Sequence, residues 1–266
     1  MDLNLKNAHV MIGGGSRGIG FACAVEYAKE GAKLSVIGRN ENRLAQCVEI
    51  IKQQVPEADI EFYVQDLAQS KEAEALVDQI ESSRGPVDIL VVTAGGASHS
   101  VNVNEISVDD WHQAMDAKFF TYINLITPVI KRMGARGQGS IVSVLGTGGR
   151  VPHANALPRG ATSSALMLAT AGLAKSYASM GVRINAVNPG YVLTLSHLAD
   201  SMPMDQLLQR INLKEAEINR PASNSPMGRI GLPNEIANVV LFLSSPRASY
   251  ITGSVITVDG GTSASV

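Results

Sequence analysis

The sequence predicts an α/β fold, a doubly wound parallel sheet of about seven strands with helices on both faces. Two observations carry this. Short runs rich in Val and Ile alternate with longer segments of helical period along the whole chain. Those runs are apolar throughout, as strands covered on both faces must be. Right-handed crossovers between parallel strands then wind the sheet both ways. At 266 residues the chain is long enough for one such domain with a large core.

In chain order, the strand-like runs are 8–12, 33–37, 60–64, 87–92, 140–144, 183–187 and 254–258. Helical patterns fill 17–30, 41–55, 70–84, 108–134, 160–180 and 233–244. Thr162, Ser163 and Ser164 stand just before the apolar segment Ala165-Leu166-Met167-Leu168, where helix N-capping accounts for them. No internal repeat or linker-like shift in composition interrupts residues 1–266, so a single domain is expected. The stretch 195–228 is the exception. It is polar, weakly periodic and too long for an ordinary connection, and reads as a lid over the site.

Composition excludes several function classes. Apolar residues are 45% and charged residues 17%, a globular balance. A formal net charge of −2 gives no electrostatic footprint for nucleic acid or an anionic membrane. The start, MDLNLKNAHV, lacks the basic and apolar regions of a secretory segment, and no apolar run approaches ~18 residues. Cys23 and Cys47 both fall in helical patterns and are expected to be reduced packing residues. A cytoplasmic setting, a small-molecule partner and no metal follow as expectations.

The stretch VMIGGGSRGIG, residues 10–20, reads as strand, tight turn and helix start. Glycines let the backbone turn sharply and approach a ligand, and the unpaired N–H groups of a helix N-terminus attract a pyrophosphate. Gly14, Gly18 and Gly20 have the spacing G-x-x-x-G-x-G. The second strand ends Gly38-Arg39-Asn40, with no acidic residue to hold a ribose 2′-hydroxyl. Arg39 and Arg17 suit a 2′-phosphate instead, so NADP(H) is favoured over NAD(H).

These residues resemble the short-chain dehydrogenase/reductase family over essentially the whole chain. The landmarks are the Gly14–Gly20 turn, Asp66-Leu67, Thr93-Ala94-Gly95, the run RINAVNPG at 183–190, Thr194, Arg229-Ile230-Gly231 and Asp259-Gly260-Gly261. The resemblance implies a Rossmann-like domain, hydride transfer between NAD(P)(H) and an alcohol or carbonyl, and a homotetramer or homodimer. It implies cofactor contacts at Gly14, Ser16, Arg17, Gly18, Ile19, Gly20 and Arg39. Asp66 and Leu67 would lie near the adenine, and Ala94 and Gly95 along the adenosine ribose. Pro189, Gly190, Val192 and Thr194 would frame the nicotinamide.

The family's chemistry rests on a Ser, a Tyr, a Lys four residues later and an assisting Asn. Aligned by position, these become Gly146, Arg159, Ser163 and Lys118, and none of the six tyrosines has a lysine four residues on. Arginine holds its proton too firmly to donate it, but it places a fixed positive charge against an oxyanion or a substrate carboxylate. Lys118 on the neighbouring helix could reach towards Ser163, and a desolvated lysine beside Arg159 would have the depressed pKa of a general acid. Lys118 and Arg159 are therefore the candidate catalytic pair. Thr147, His153 and Tyr191 are further polar residues of the same region.

The sequence thus predicts an NADP(H)-dependent oxidoreductase with a substituted acid/base site. An inactive dinucleotide-binding sensor or partner subunit, and a non-redox enzyme on the same fold, stand as alternatives, because function belongs to the site and not to the fold.

Overall fold

The structure, a computed structural model, describes residues 1–95, 102–194 and 225–263. Seven parallel strands form one sheet: β1 (His9–Gly13), β2 (Lys33–Gly38), β3 (Ile60–Val64), β4 (Ile89–Val92), β5 (Gly139–Val144), β6 (Val182–Pro189) and β7 (Val255–Val258). Their order across the sheet is β3-β2-β1-β4-β5-β6-β7. The helices are α1 (Gly18–Lys29), α2 (Glu41–Gln54), α3 (Ser70–Arg84), α4 (Val108–Ala114), α5 (Thr121–Arg136), α6 (Leu157–Tyr177) and α7 (Pro233–Ser244).

The apolar strands are shared between two cores. Val10 and Ile12 of β1 pack with residues of α1, α2 and α7, whereas Met11 between them packs with α3, α5 and α6. The period-2 alternation of a strand therefore feeds both faces. Tyr27 of α1 and Ser244 of α7 are both buried, and their hydroxyls satisfy each other at 2.7 Å. Cys23 and Cys47 are free thiols, and both are fully buried.

Two helical expectations are corrected. The pattern over 108–134 is broken between α4 and α5 by a π-helical stretch, Met115–Phe120. The helix expected from 160 begins instead at Leu157, with Pro158 in its first turn, so Thr162, Ser163 and Ser164 are interior and cap nothing. Their hydroxyls bond back to carbonyls: Thr162 to Arg159 at 2.8 Å, Ser164 to Gly149 at 2.6 Å. No helix of the described residues is long and apolar enough to cross a membrane. The expected lid falls, for residues 195–224, outside the described residues; 225–228 form a turn in which the Met227 N–H donates to the Gly260 carbonyl.

Candidate active site

The strand order reverses direction between β1 and β4, the place where a doubly wound sheet opens a crevice at its carboxyl ends. A cavity of about 1350 Å³ lies there, lined by the segments that follow β1 to β6. At one end is the glycine turn. Gly14 and Gly18 have φ of 86° and 56°, a region that side chains adopt rarely. A Cβ at Gly14 would lie 2.5 Å from the Ala94 nitrogen, and one at Gly20 would lie 2.3 Å from the Gly14 oxygen. Thr93, at the end of β4, donates its hydroxyl to the carbonyls of Gly13 and Gly14 at 3.1 and 3.0 Å, which fixes the turn from below. The first turn of α1 holds no acidic residue and has no side-chain cap. Its N–H groups are left for an anion, so this end fits a dinucleotide pyrophosphate.

Arg17 and Arg39 line the adenosine end, as does Asp66. The Asp66 carboxylate accepts the Ala68 N–H at 3.1 Å, forming a turn with its flank open to the cavity. Leu67 is buried, and it reaches the cavity while packing close to Gly13. The sequence reading missed Arg43. The Asn40 side chain caps α2 by accepting the Arg43 N–H at 3.0 Å, which sets Arg43 in the first turn, on the same cavity wall as Arg17. Desolvation, then the charge of Arg17, lowers the Arg43 pKa. The cap residue Asn40 was the available signal.

At the other end, Pro189 closes β6 and the Gly190 N–H donates to the Val258 carbonyl at 3.0 Å. A Cβ at Gly190 would lie 2.6 Å from that of Asp259. Val192 pairs with Gly231 as an isolated bridge, and Thr194 faces Gly18 at the start of α1. Ser16, Ile19, Ala94 and Gly95 also line the cavity.

Lys118 lies on the π-helical stretch, a local widening that often marks functional sites. Its Nζ donates to the Leu145 carbonyl at 2.5 Å and to Ser163 Oγ at 2.9 Å. Desolvation, reinforced by the charge of Arg159, pushes its pKa down to about 8. Arg159 is exposed to the cavity from the first turn of α6. Gly146 has φ of 126°, and a Cβ there would meet nothing within 4 Å. Backbone conformation, not space, disfavours a serine at that position. Thr147 and His153 line the same wall, and Tyr191 stands 67% exposed at its rim. Among the described residues, no group of three or more His, Cys, Asp or Glu is placed to hold a metal ion.

A family model described as enoyl-(acyl carrier protein) reductase matches residues 14–263. The chain belongs to the short-chain dehydrogenase/reductase family. A 3alpha-hydroxysteroid dehydrogenase of Mediterraneibacter gnavus is 32% identical over 98% of each chain. The L-sorbose reductase of Gluconobacter frateurii, complexed with NADPH and L-sorbose, has a TM-score of 0.85 at 27% identity, with both chains fully covered. A short-chain oxidoreductase from Pseudomonas aeruginosa PAO1 containing an atypical catalytic centre has a TM-score of 0.84 at 26% identity, over 98% of this chain and 99% of that one. This dehydrogenase/reductase is therefore an oxidoreductase of the family's type, with a cradle suited to a nicotinamide cofactor.

Proposed function

We propose that this short-chain dehydrogenase/reductase uses NADP(H) to interconvert an alcohol and a carbonyl, with Lys118 giving and taking the proton. The observation that carries this is the Lys118 ammonium, held by Leu145 and Ser163 inside the cavity with a pKa near 8. A proton donor works best when its pKa lies near the operating pH, and a surface lysine is far from that. Gly146, Arg159 and Ser163 stand where the family has its serine, tyrosine and lysine, and none of them is an ordinary acid; Lys118 lies 2.9 Å from Ser163. A relative whose structure contains an atypical catalytic centre supports such a substitution.

The nicotinamide, when bound, exchanges a hydride with the carbon of the alcohol or carbonyl. In the reducing direction Lys118 gives its proton to the substrate oxygen and becomes a neutral amine. In the oxidising direction the neutral amine takes that proton back. Arg159 keeps the amine accessible by opposing a second positive charge, and it stabilises negative charge that develops in the cavity. The Leu145 carbonyl and Ser163 hydroxyl fix the direction of the Nζ lone pair and protons.

Three arginines, Arg17, Arg39 and Arg43, support the preference for NADP(H). They gather at the end of β2, and Gly38 offers no carboxylate there. A Cβ at Gly38 would already lie 3.3 Å from Leu44 and 3.4 Å from Ser16. Guanidinium groups hold a 2′-phosphate by paired, charge-assisted hydrogen bonds worth about 1.5–3 kcal/mol each. Titration of NADPH and NADH by nicotinamide fluorescence tests the reading. Arg39→Ala and Arg43→Ala should each weaken NADPH by about tenfold or more and leave NADH nearly unchanged. Equal affinity for both nucleotides in the parent protein would refute the preference. Oxidation of NADPH by some carbonyl in a broad panel, lost in Lys118→Met, tests the acid; full turnover in that variant would remove Lys118 from the chemistry.

A further inference from the structure

We infer that the substrate of this site carries a permanent anion, a carboxylate or equivalent acidic group, held by Arg159 beside the reacting carbonyl. This rests on the oxidoreductase reading above and names its substrate class. Arg159 lies in the first turn of α6, the end of a helix that repels cations. That turn holds no acidic residue, and Ala156 provides no side-chain cap. Among the described residues the Arg159 guanidinium forms no ion pair. It is exposed on a cavity wall, with the Lys118 ammonium as its electrostatic neighbour. Two cations thus share one wall, and each raises the energy of the other. Among the described residues two acidic side chains line the cavity, Asp66 at the adenosine end and Asp116 on the π-helical stretch; neither forms an ion pair with Arg159 or Lys118. A guanidinium in a concave site, with no ion pair among the described residues, is the arrangement that recognises a carboxylate. Gly146 lines the same cavity, and among the described residues a Cβ there meets no atom within 4 Å.

The pairing also couples binding to chemistry. Among the described residues, the charged or titratable groups at this end of the cavity besides Lys118 are Arg159 of α6, Asp116 of its own stretch, Tyr122 of α5, His153 of the loop after β5 and Tyr191 after β6. Of these, Arg159 is the one that opposes its charged form. A carboxylate seated on Arg159 offsets that opposition, so an acidic substrate loads Lys118 with the proton it is about to receive. A neutral substrate does not.

The experiment uses the full chain saturated with NADPH. Affinities for pyruvate and levulinate are compared with those for their methyl esters, by quenching of bound nicotinamide fluorescence or by the shift in melting temperature. The acids are expected to bind about tenfold tighter or more, and this preference should shrink as salt is raised. Arg159→Gln should abolish the preference and Arg159→Lys should retain part of it, which separates loss of charge from loss of fold. With a turned-over acid, the alkaline limb of kcat should lie at higher pH than that of kcat/KM, because the first reports the bound complex. Equal binding of acids and esters, or a preference that survives in Arg159→Gln, overturns the inference. Oxidation of NADPH by esters as efficiently as by acids overturns it too, and leaves the redox reading intact. A preference for acids without any NADPH oxidation supports the anion site and overturns the redox reading instead.

Discussion

Replacing Lys118 by methionine should remove activity, and its cost in stability should grow as the pH rises. In the folded chain the Lys118 pKa falls from the ordinary lysine value of 10.5 to about 8. That drop is a cost of ~3 kcal/mol for keeping the side chain charged at neutral pH. Methionine has a similar length and carries no charge, so this cost disappears. Against it stand two charge-assisted hydrogen bonds, to the Leu145 carbonyl and Ser163 Oγ, worth about 1.5–3 kcal/mol each. They offset the charging cost at neutral pH, so the variant should melt at, or a few degrees below, the parent there. The sign of the pH dependence follows from linkage. Above about pH 8 the unfolded lysine holds more protons than the folded one, so the parent gains stability as pH rises towards 10.5. The deficit of Lys118→Met must therefore widen on that side, because the parent is relieved of its charging cost and the variant has none to lose. Thermal melts at neutral and alkaline pH, with the parent measured alongside, read this directly. A variant less stable than the parent by the same amount at every pH would refute the reasoning, since Lys118 would then be an ordinary packing residue.

Two further predictions concern the turn and the opposite end of the sheet. Gly20→Ala places a methyl group 2.3 Å from the Gly14 oxygen and 2.4 Å from Thr93 Oγ1, so it should cost about 1–3 kcal/mol in a urea unfolding curve and weaken NADPH binding. Gly172→Ala, inside α6 with nothing within 4 Å of the added Cβ, is the matching control and should be neutral or stabilising. His9 is buried between the Gly85 and Pro86 carbonyls and the Ser35 hydroxyl, and desolvation holds its pKa below 6.5 despite those carbonyls. Its folded form resists protonation, so stability should fall as pH drops below 6.5, and the urea midpoint of His9→Gln should fall less over that range.

The sheet was legible because its strands are buried on both faces. Val91 and Ile141 need apolar surroundings whichever way they point, and a continuous apolar run marks the strand without any question of phase. The glycine turn was legible for a related reason: Gly14 and Gly20 meet backbone atoms that no side chain can displace, so the residue type itself reports the geometry. Helix starts were harder. A run of hydroxyl residues at 162–164 has the composition of a cap, yet in α6 these hydroxyls bond back to carbonyls of the preceding turn and loop, which composition does not distinguish from capping. The π-helical stretch was hidden because one extra residue in a turn leaves the apolar period on either side almost unchanged.

That hidden turn matters most at the site. The sequence places Lys118 within reach of Ser163 but carries no sign of the Leu145 carbonyl that completes its cradle. Brought to 2.9 Å, with the Leu145 carbonyl on the other side, the two side chains place an ammonium against α6 in the cavity. A lysine at 163 would compete with Lys118 for the same space and repel it, so Ser163→Lys alone should destabilise the site. Lys118 and Ser163 therefore belong together as one coupled arrangement, and Arg159, whose charge helps hold Lys118 near a pKa of 8, completes it.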